Sequence, residues 1–456
     1  MKALLIDFGS TFTKATLADL EPPGLIGTFR APTTADTDLM DGFHRAIEGF
    51  SPEQLDGIAV KRASSSAAGG LKIAAVGLVP QLTVKAAREA ALGAGARVVA
   101  ACAYTLTEDE IRKIKDLKPD LLLLAGGTDG GDKRTILENA ARIAESELSA
   151  PVVVAGNKAA APQAEAILKD KVSRVVVTGN VMPDINVLAV EPARRAIREL
   201  YLQEITKAKG WEHVQKQVGL AMPTPLAVMK AGELCGKVRG EEIMIVDVGG
   251  ATTDIHSFAD GAPKRSGCIL KGLPEPFIKR TVEGDLGMRV SLRSLLEVIS
   301  AKGLPAEIPF AASDGEMAAF IDRVSSDRGS LARNEREKHF DRAFAVACIR
   351  EALRRHAGTV TEAYTPEGKL WVQSGKDLTE VEMLIATGGA LVFADDPGSL
   401  LKAGLRPDDP LSLTPRRPRL ALDHQYTLYA VGLLADLYPE AAEMLLKETL
   451  LSLGEV

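Results

Sequence analysis

Two stretches of this chain, about half its length apart, carry one pattern of residues. They read LLIDFGSTFTKATL from residue 4 and IMIVDVGGATTDIH from residue 243. In each, an apolar run ends in an acid, Asp7 or Asp247, and a glycine and small residues follow. This pattern predicts two β-hairpins, named here the first hairpin (residues 7–14) and the second hairpin (residues 247–254). We interpret the repeat as two related halves whose hairpins face each other across a cleft.

The residue types in the hairpins suit the binding of a phosphate chain together with a magnesium ion. Glycine lets the backbone approach an anion closely, and successive amide and hydroxyl groups can hold phosphate oxygens. Asp7 and Asp247 would hold the waters of Mg²⁺, and Lys14 would balance phosphate charge. The predicted phosphate-binding residues are Gly9, Ser10, Thr11, Thr13, Lys14, Gly249, Gly250, Thr252 and Thr253. A single hairpin of this kind is also explained by an ordinary turn, but its repetition favours the phosphate site.

A glycine pair later in the chain predicts a site for the remainder of a nucleotide. In MLIATGGAL, residues 383–391, an apolar strand ends at Gly388 and Gly389 before a helical segment. These glycines permit the close approach of a flat adenosine. The sequence has no G-x-x-x-x-G-K-[ST] loop, and no G-x-G-x-x-G opens a helix after a strand. The predicted phosphate grip is therefore a hairpin and not a helix N-terminus.

Composition narrows the classes of partner and the cellular setting. With 456 residues the chain is too long for one core, so more than one domain is expected. A net charge of −6 argues against nucleic acid or an anionic membrane as the main partner, and no apolar run has the length of a membrane span. The 4 scattered cysteines form no C-x-x-C pair, which predicts buried thiols in a reducing cytoplasm.

The first half carries a further pattern that is typical of a parallel sheet. Apolar runs at residues 120–127, 151–157 and 174–180 each end at a glycine-containing loop, and helical segments separate them. Continuous apolar strands that alternate with helices predict a parallel sheet covered on both faces.

Two loops in this region hold candidate functional side chains. AGGTDGGDK, residues 125–133, places Asp129 and Asp132 after a predicted parallel strand. It is explained equally well by a structural turn and by a second ligand or partner site. Ser64–Ser66 precede a run of alanine and glycine, and no base lies nearby in the sequence. We therefore interpret these serines as part of a flexible or phosphate-proximal loop and not as nucleophiles.

With these motifs, the chain resembles the actin/Hsp70/sugar-kinase superfamily of ATPases. The hairpins are similar to its two phosphate segments, and residues 387–391 are similar to its adenosine segment. PTPLAVMKAGELCG, with Gly232, and YTLYAVGLLAD, with Gly432, look like its two connecting helices. The resemblance implies an α/β, actin-like ATPase fold in which two RNase-H-like domains flank a nucleotide cleft.

The implied domains follow the order of these segments. Residues 1–240 would form the first RNase-H-like domain, including an enlarged α/β segment of parallel strands at about 56–200. Residues 241–423 would form the second domain, and C-terminal helices at 424–456 would return to the first.

Some stretches narrow the resemblance to the glutamate mutase accessory protein family, MutL or GlmL, which is unrelated to the mismatch-repair protein of the same name. These stretches are residues 63–96, LLLLAGGTDGGD and DVGGATTDIHS. The resemblance implies a chaperone that binds ATP and Mg²⁺ and reactivates an adenosylcobalamin-dependent mutase, such as glutamate mutase or an aminomutase. Its partners would be the mutase subunits, and a homo-oligomer is compatible with it. ATP hydrolysis would drive a conformational change and would depend on Asp7, Asp247 and Asp254, with Asp247 or Asp254 positioning the attacking water.

The same superfamily supplies the alternative functions. A small-molecule kinase would use the same cleft but needs a base aimed at a substrate hydroxyl, and the sequence indicates no such base. A filament-forming actin relative would polymerise with ATP, although the middle segment of the first half looks specialised for another task. The ATPases that reduce dehydratases through an iron–sulfur cluster are disfavoured by the cysteine spacing.

Overall fold

The computed structural model begins with the first hairpin and a sheet built around it. It describes residues 1–9, 11–34, 38–66, 71–205, 211–273, 275–300, 314–326, 330–366, 368–405 and 411–456. The first elements are β1 (Lys2–Phe8), β2 (Phe12–Leu20), β3 (Pro23–Pro32), α1 (Leu39–Ile47), α2 (Pro52–Leu55) and β4 (Ile58–Ser65). Asp7 on β1 lies opposite Lys14 on β2. β4 pairs in parallel with β1 and brings Ser64 beside Asp7.

A parallel sheet follows, and we call it the inserted sheet. Its region contains β5 (Lys72–Gly77), a π-helical turn (Pro80–Val84), α3 (Lys85–Gly93), β6 (Arg97–Ala103), α4 (Glu108–Leu117), β7 (Leu121–Leu124), α5 (Arg134–Glu145), β8 (Val152–Val154), α6 (Ala161–Leu168) and β9 (Val175–Val177). The strands lie in the order β6-β5-β7-β8-β9, and neighbours pair in parallel. Leu121 and Leu123 pack into one hydrophobic core, whereas Leu122 and Leu124 pack into another. Both faces are therefore buried, which confirms the predicted parallel sheet.

The chain then returns to the first sheet before it enters the second half. The next elements are α7 (Glu191–Ile205), α8 (Trp211–Gln217), β10 (Leu220–Pro223) and α9 (Thr224–Arg239). β10 pairs in parallel with β4, so that the first sheet runs in the order β10-β4-β1-β2-β3. The inserted sheet thus interrupts the first sheet between β4 and β10.

The second half is built around the second hairpin. Its elements are β11 (Ile243–Val248), β12 (Thr253–Phe258), β13 (Cys268–Lys271), β14 (Ile278–Glu283), α10 (Leu292–Ser300), α11 (Asp314–Ser326), α12 (Glu335–His356), β15 (Thr359–Thr365), β16 (Gly368–Ser374), β17 (Met383–Thr387), α13 (Gly389–Val392), α14 (Pro397–Gly404), β18 (Arg419–Asp423), α15 (Leu428–Leu434), α16 (Pro439–Thr449) and β19 (Leu450–Glu455). The main sheet runs β14-β12-β11-β17-β18-β19, and a small sheet runs β13-β16-β15. Asp247 lies opposite Asp254 in the hairpin.

The two main sheets share one topology. In each, the first strand pairs antiparallel with the second and the second with the third, while the fourth and fifth extend in parallel from the other edge of the first. This repeated order is the actin-like pair of RNase-H-like sheets, with the inserted sheet as the additional α/β segment. On this topology we propose domain boundaries near residues 240 and 424.

The end of the chain departs from the prediction of C-terminal helices. α15 and α16 form, but residues 450–455 are the strand β19, which pairs antiparallel with β18. The prediction was therefore wrong for these residues, because an edge strand of the second sheet was available to pair with them. α16 does return to the first half, where the Glu448 carboxylate accepts a hydrogen bond of 2.8 Å from the amide of Leu25.

The predicted connecting helices, α9 and α15, pack against each other at Gly432, whereas Gly232 of α9 packs against β12. A Cβ atom at Gly432 would overlap the backbone of Ala227, and one at Gly232 would overlap the ring of Phe258. Residues of α9 and α15 share one hydrophobic core with β1 and β11. Both main sheets therefore meet at this helix pair.

Two further predictions concern the surroundings of the chain. Within the described ranges, no helix has both the length and the apolar character of a membrane span. Cys102, Cys235 and Cys348 are buried free thiols, and Cys268 is half-buried.

Candidate functional site between the two hairpins

A cavity of about 740 Å³ lies between the two halves, and both hairpins form part of its wall. This volume is in the usual range of small-molecule sites. The predicted site residues that line the cavity are Asp7, Gly9, Thr11, Lys14, Asp247, Gly249, Gly250, Thr252, Asp254 and Gly389. The structure therefore brings the two hairpins and the glycine pair together around one space.

Two predicted threonines lie on the opposite side of their strands from the cavity. The Thr13 hydroxyl lies 3.2 Å from that of Thr33, and the Thr253 hydroxyl donates a bond of 2.8 Å to the carbonyl of Leu286. Both side chains are fully buried. Their hydroxyls hold the hairpins to the segments that follow the neighbouring strands β3 and β14, and neither threonine lines the cavity. Ser10 lies outside the described residues.

The two hairpins turn in the same way. The Gly9 amide donates a hydrogen bond of 3.1 Å to the carbonyl of Phe12, and the Gly249 amide donates one of 2.9 Å to the carbonyl of Thr252. A Cβ atom at Gly9 would come within 2.6 Å of the Phe12 oxygen, so the tight turn requires glycine there. Equivalent bends of the two sheets thus present backbone to the cavity from both sides.

Gly388 is not in the cavity wall but supports it. Its φ of +89° is in the region that favours glycine. A Cβ atom there would lie 2.5 Å from the Oδ1 atom of Asp247. The two glycines of the predicted pair therefore have different roles: Gly389 lines the cavity, and Gly388 leaves room for the Asp247 carboxylate.

In the first hairpin, Asp7 is neutralised by neighbours. Lys14 Nζ lies 2.7 Å from Asp7 Oδ2, Ser64 Oγ donates 3.0 Å to Oδ1, and the Thr224 hydroxyl donates to the same oxygen. Lys14 Nζ also lies 3.7 Å from the centroid of the Tyr426 ring. Burial lowers the pKa of Lys14, but Asp7 together with Tyr426 and Tyr429 outweighs this effect, so the pKa of Lys14 is raised.

In the second hairpin, the two acids have different surroundings. Asp254 Oδ1 accepts from Arg280 Nε at 3.0 Å and Nη2 at 2.6 Å, and its Oδ2 accepts from Thr252 at 3.1 Å. Asp247 has no hydrogen bond or ion pair among the residues that the structure describes. Burial, and then the nearby charge of Asp254, raise the pKa of Asp247 to about 7. Asp247 is therefore a carboxylate to which the described part of the chain supplies no paired cation.

Several residues of the site were not found from the sequence. Arg280 and Thr224 bind the hairpin acids from positions remote in the chain, and no local pattern marks them. Asp423 is fully buried at the end of β18, accepts from Thr387 Oγ1 at 2.8 Å and caps α15 through the amide of Thr427 at 2.7 Å. The sequence RLALD, an apolar strand that ends in an acid, was a signal for it.

With this geometry in place, comparison with known proteins identifies the family. A family model described as MutL protein matches residues 3–450. The chain belongs to the MutL family. Protein MutL from Clostridium tetanomorphum is 44% identical over 458 residues, which cover 98% of both chains.

Among solved structures, acetone carboxylase in its nucleotide-free form matches 95% of this chain and 70% of its own, with 13% identity and a TM-score of 0.40. The activator of 2-hydroxyisocaproyl-CoA dehydratase from Clostridium difficile, with bound ADPNP, matches 98% of both chains, with 8% identity and a TM-score of 0.32.

The donor set in the cavity of this MutL family member fits a hydrated divalent cation better than a directly coordinated one. Within the described ranges, no group of three His, Cys, Asp or Glu residues is arranged to hold a metal. The partnerless Asp247 carboxylate, close to the charges of Asp254, Asp423 and Asp7, nevertheless favours positive charge in the cavity. Mg²⁺ commonly keeps several waters and needs only one or two protein carboxylates.

The loop at residues 125–133 is held by its own hydrogen bonds. Asp129 Oδ1 accepts from the Lys158 amide and from Asn180 Nδ2, both at 3.0 Å. Asp132 Oδ2 accepts from the Thr135 amide at 3.1 Å, at the start of α5. Both acids are therefore accounted for by the turn, and neither lines the cavity.

Proposed function

We propose that this chain is an ATP-dependent accessory protein that reactivates an adenosylcobalamin-dependent mutase, such as glutamate mutase or an aminomutase. The observation that carries the nucleotide part is the meeting of two equivalent hairpins at one cavity. Membership of the MutL family supports the accessory role.

The phosphates would lie between the hairpins, against the backbone of Gly9 and Thr11 on one side and of Gly249 and Gly250 on the other. These residues line the cavity; the amides of Gly9 and Gly249 close the turns, so the amides of Thr11 and Gly250 would be the ones that face the anion. The adenosine would lie against Gly389, where the cavity continues along α13.

The acids would divide between structural and catalytic roles. Asp247 would hold the waters of Mg²⁺, with help from Asp7, which is paired with Lys14. Bound Mg²⁺ supplies positive charge to the terminal phosphates. Asp247 also lies free to accept a proton from an attacking water. Asp254 would act mainly by positioning Arg280, because one of its oxygens is already engaged by that guanidinium.

Nucleotide exchange would change the relation of the two halves. The α9–α15 pair lies in the core shared by both main sheets, so it is the natural hinge between them. ATP, which contacts both hairpins, would favour a closed cleft, and ADP would favour an open one. The mutase would bind to a surface that differs between these states.

The first test is steady-state ATP hydrolysis by the full chain in the presence of Mg²⁺. We expect Asp247→Ala to lower the rate at least about 100-fold, since it removes a group that acts on the reacting water and the ion. Asp109→Ala is the matched control, because Asp109 lies on α4 with 86% of its side chain exposed. Equal rates for wild type and Asp247→Ala would contradict the site assignment.

The second test concerns the partner. The tagged chain, incubated with purified mutase, should retain the mutase differently in ATP and in ADP. It should also restore activity to mutase inactivated by damaged cobalamin, and Asp247→Ala should not. Hydrolysis stimulated by a small metabolite and unaffected by mutase would contradict the accessory role and favour a kinase.

A further inference from the structure

One wall of the cavity comes from the inserted sheet. Gly95 and Arg97, at the start of β6, line the same space as Asp7 and Asp247. The β6 backbone is fixed there, since the Arg97 amide donates 2.7 Å to the carbonyl of Leu71. The inserted sheet thus has direct access to whatever occupies the cavity.

Arg97 differs from the other arginines of the cavity wall in having no side-chain partner among the described residues. Arg280 is bound to Asp254, Arg289 Nη1 lies 3.0 Å from Asp341, and Arg342 donates 2.6 Å to the hydroxyl of Ser399. Within the described part of the chain, the guanidinium of Arg97 makes no hydrogen bond or ion pair. A partly buried guanidinium without an acceptor is unusual, because its donors are strongly polar.

The contacts around Arg97 place it on the side of the second hairpin. The carbonyl of Ala96, its neighbour, accepts from Arg280 Nη1 at 2.9 Å, and Arg280 in turn holds Asp254. A Cβ atom at Gly284 would overlap the guanidinium of Arg97, so this group lies against the backbone that follows β14.

The acids on either side of Gly284 do not supply the missing partner. Glu283 and Asp285 each accept from Arg355 at 2.7 Å. Because these carboxylates are already paired, the charge of Arg97 is left for an anion in the cavity.

We propose that Arg97 binds the terminal phosphate of the nucleotide and stabilises the transition state of its hydrolysis, so that the inserted sheet senses whether that phosphate is present. This inference rests on the proposed ATP site. In the step, a water oxygen forms a bond to the γ-phosphorus, and the bond from that phosphorus to the oxygen bridging it to the β-phosphate breaks. The water proton leaves to a carboxylate or to solvent, and ADP and phosphate are the products. Arg97 stays protonated and offers its planar pair of donors to the γ-phosphate oxygens.

The experiment compares wild type, Arg97→Ala and Arg97→Lys in single-turnover hydrolysis with the full chain and Mg²⁺. We expect Arg97→Ala to lower the rate of hydrolysis at least about 100-fold. Arg97→Lys should recover only part of this rate, because a lysine lacks the planar pair of N–H donors of a guanidinium. The affinity for a non-hydrolysable ATP analogue should fall by about tenfold in Arg97→Ala, whereas the affinity for ADP should be unchanged. Added guanidinium ion should partly restore hydrolysis to Arg97→Ala.

The controls separate this inference from the proposed function. Arg112→Ala, on α4 of the same region with 71% of its side chain exposed, should match wild type. Arg97→Ala should unfold at the wild-type temperature without nucleotide, since the guanidinium that it removes bonds to none of the residues that the structure describes. A wild-type chain that neither binds nor hydrolyses ATP would overturn the proposed function. A wild-type chain that hydrolyses ATP alongside an equally active Arg97→Ala would overturn the role of Arg97 alone.

Discussion

The two hairpins have the same backbone and opposite electrostatics. In both, an acid on the first strand lies directly opposite the residue at the end of the turn, which is Lys14 in one and Asp254 in the other. Asp7 is consequently neutralised within its own hairpin. Asp247 faces a second acid, and the cation that answers Asp254 comes from β14 through Arg280.

This difference indicates how a repeated sheet can serve two purposes. In the first hairpin, Lys14 neutralises Asp7 without a ligand, so the charge balance of this side of the cavity does not depend on a bound ion. In the second hairpin, no described cation pairs with the negative charge of Asp247. A bound cation would therefore stabilise this side of the cavity. The predictions below test this division.

The largest expected contrast is between asparagine substitutions at the two equivalent acids. Asp7→Asn leaves Lys14 buried without its counter-charge and should lower the free energy of unfolding by about 3 kcal/mol or more. Asp247→Asn removes a carboxylate that has no partner within the described ranges and should change the free energy of unfolding by less than about 1 kcal/mol. Urea unfolding without nucleotide or Mg²⁺ measures both. Equal losses would show that the hairpins are not electrically different.

Breaking the ion pair between Asp254 and Arg280 should have the next largest effect on the free energy of unfolding. Arg280→Met leaves Asp254 without a cation and should lower the free energy of unfolding by about 2–3 kcal/mol. Adding Asp254→Asn should recover part of that loss, because the two groups are coupled. A double-mutant cycle in urea checks this, and strictly additive losses would mean that the ion pair contributes nothing.

Much of this arrangement could be predicted from the sequence. The hairpins and the parallel strands follow from local periodicity, and the acid–glycine spacing marks the turns. Strand alternation would also have assigned Thr13 and Thr253 correctly, since each precedes a cavity-facing residue and so points the other way. Arg280 and Thr224 could not be found, because the acids that they bind are remote in the chain. Arg97 could not be found either, because only tertiary packing brings it to the cavity wall.

The buried lysines Lys14 and Lys376 have pKa values that shift in opposite directions, because, among the described residues, only Lys14 is paired with a carboxylate. Lys376 is fully buried, donates 2.7 Å to the carbonyl of Phe277 and lies 3.2 Å from the hydroxyl of Ser257. Burial, and then the charge of Lys279, lower its pKa to about 7, whereas Lys14 beside Asp7 is shifted upward. The charges that oppose this lowering are those of Glu275, Glu242 and Glu89.

A lysine with a lowered pKa makes stability depend on pH. Above pH 7 the unfolded chain keeps a proton that the folded chain has released, so the free energy of unfolding should rise with pH. Relative to Lys376→Met, the wild type should gain about 2 kcal/mol between pH 7 and 9. Urea unfolding at several pH values measures the difference, and parallel curves for the two proteins would refute it.

The smallest effects are expected where the hairpins are alike. Thr13→Val and Thr253→Val each remove a buried hydroxyl behind the cavity and should lower the free energy of unfolding by about 1 kcal/mol. Neither should alter the affinity for ATP, which equilibrium titration with a fluorescent analogue can measure. A large loss of affinity in either variant would return these threonines to the phosphate site.

The central claim is that one nucleotide lies between both hairpins. A crystal structure of the full chain with Mg²⁺ and a non-hydrolysable ATP analogue tests it most directly. We expect the phosphates to contact the backbone at Thr11 and at Gly250, with the ion's waters on Asp247. A nucleotide bound to a single hairpin, or outside this cavity, would contradict the account.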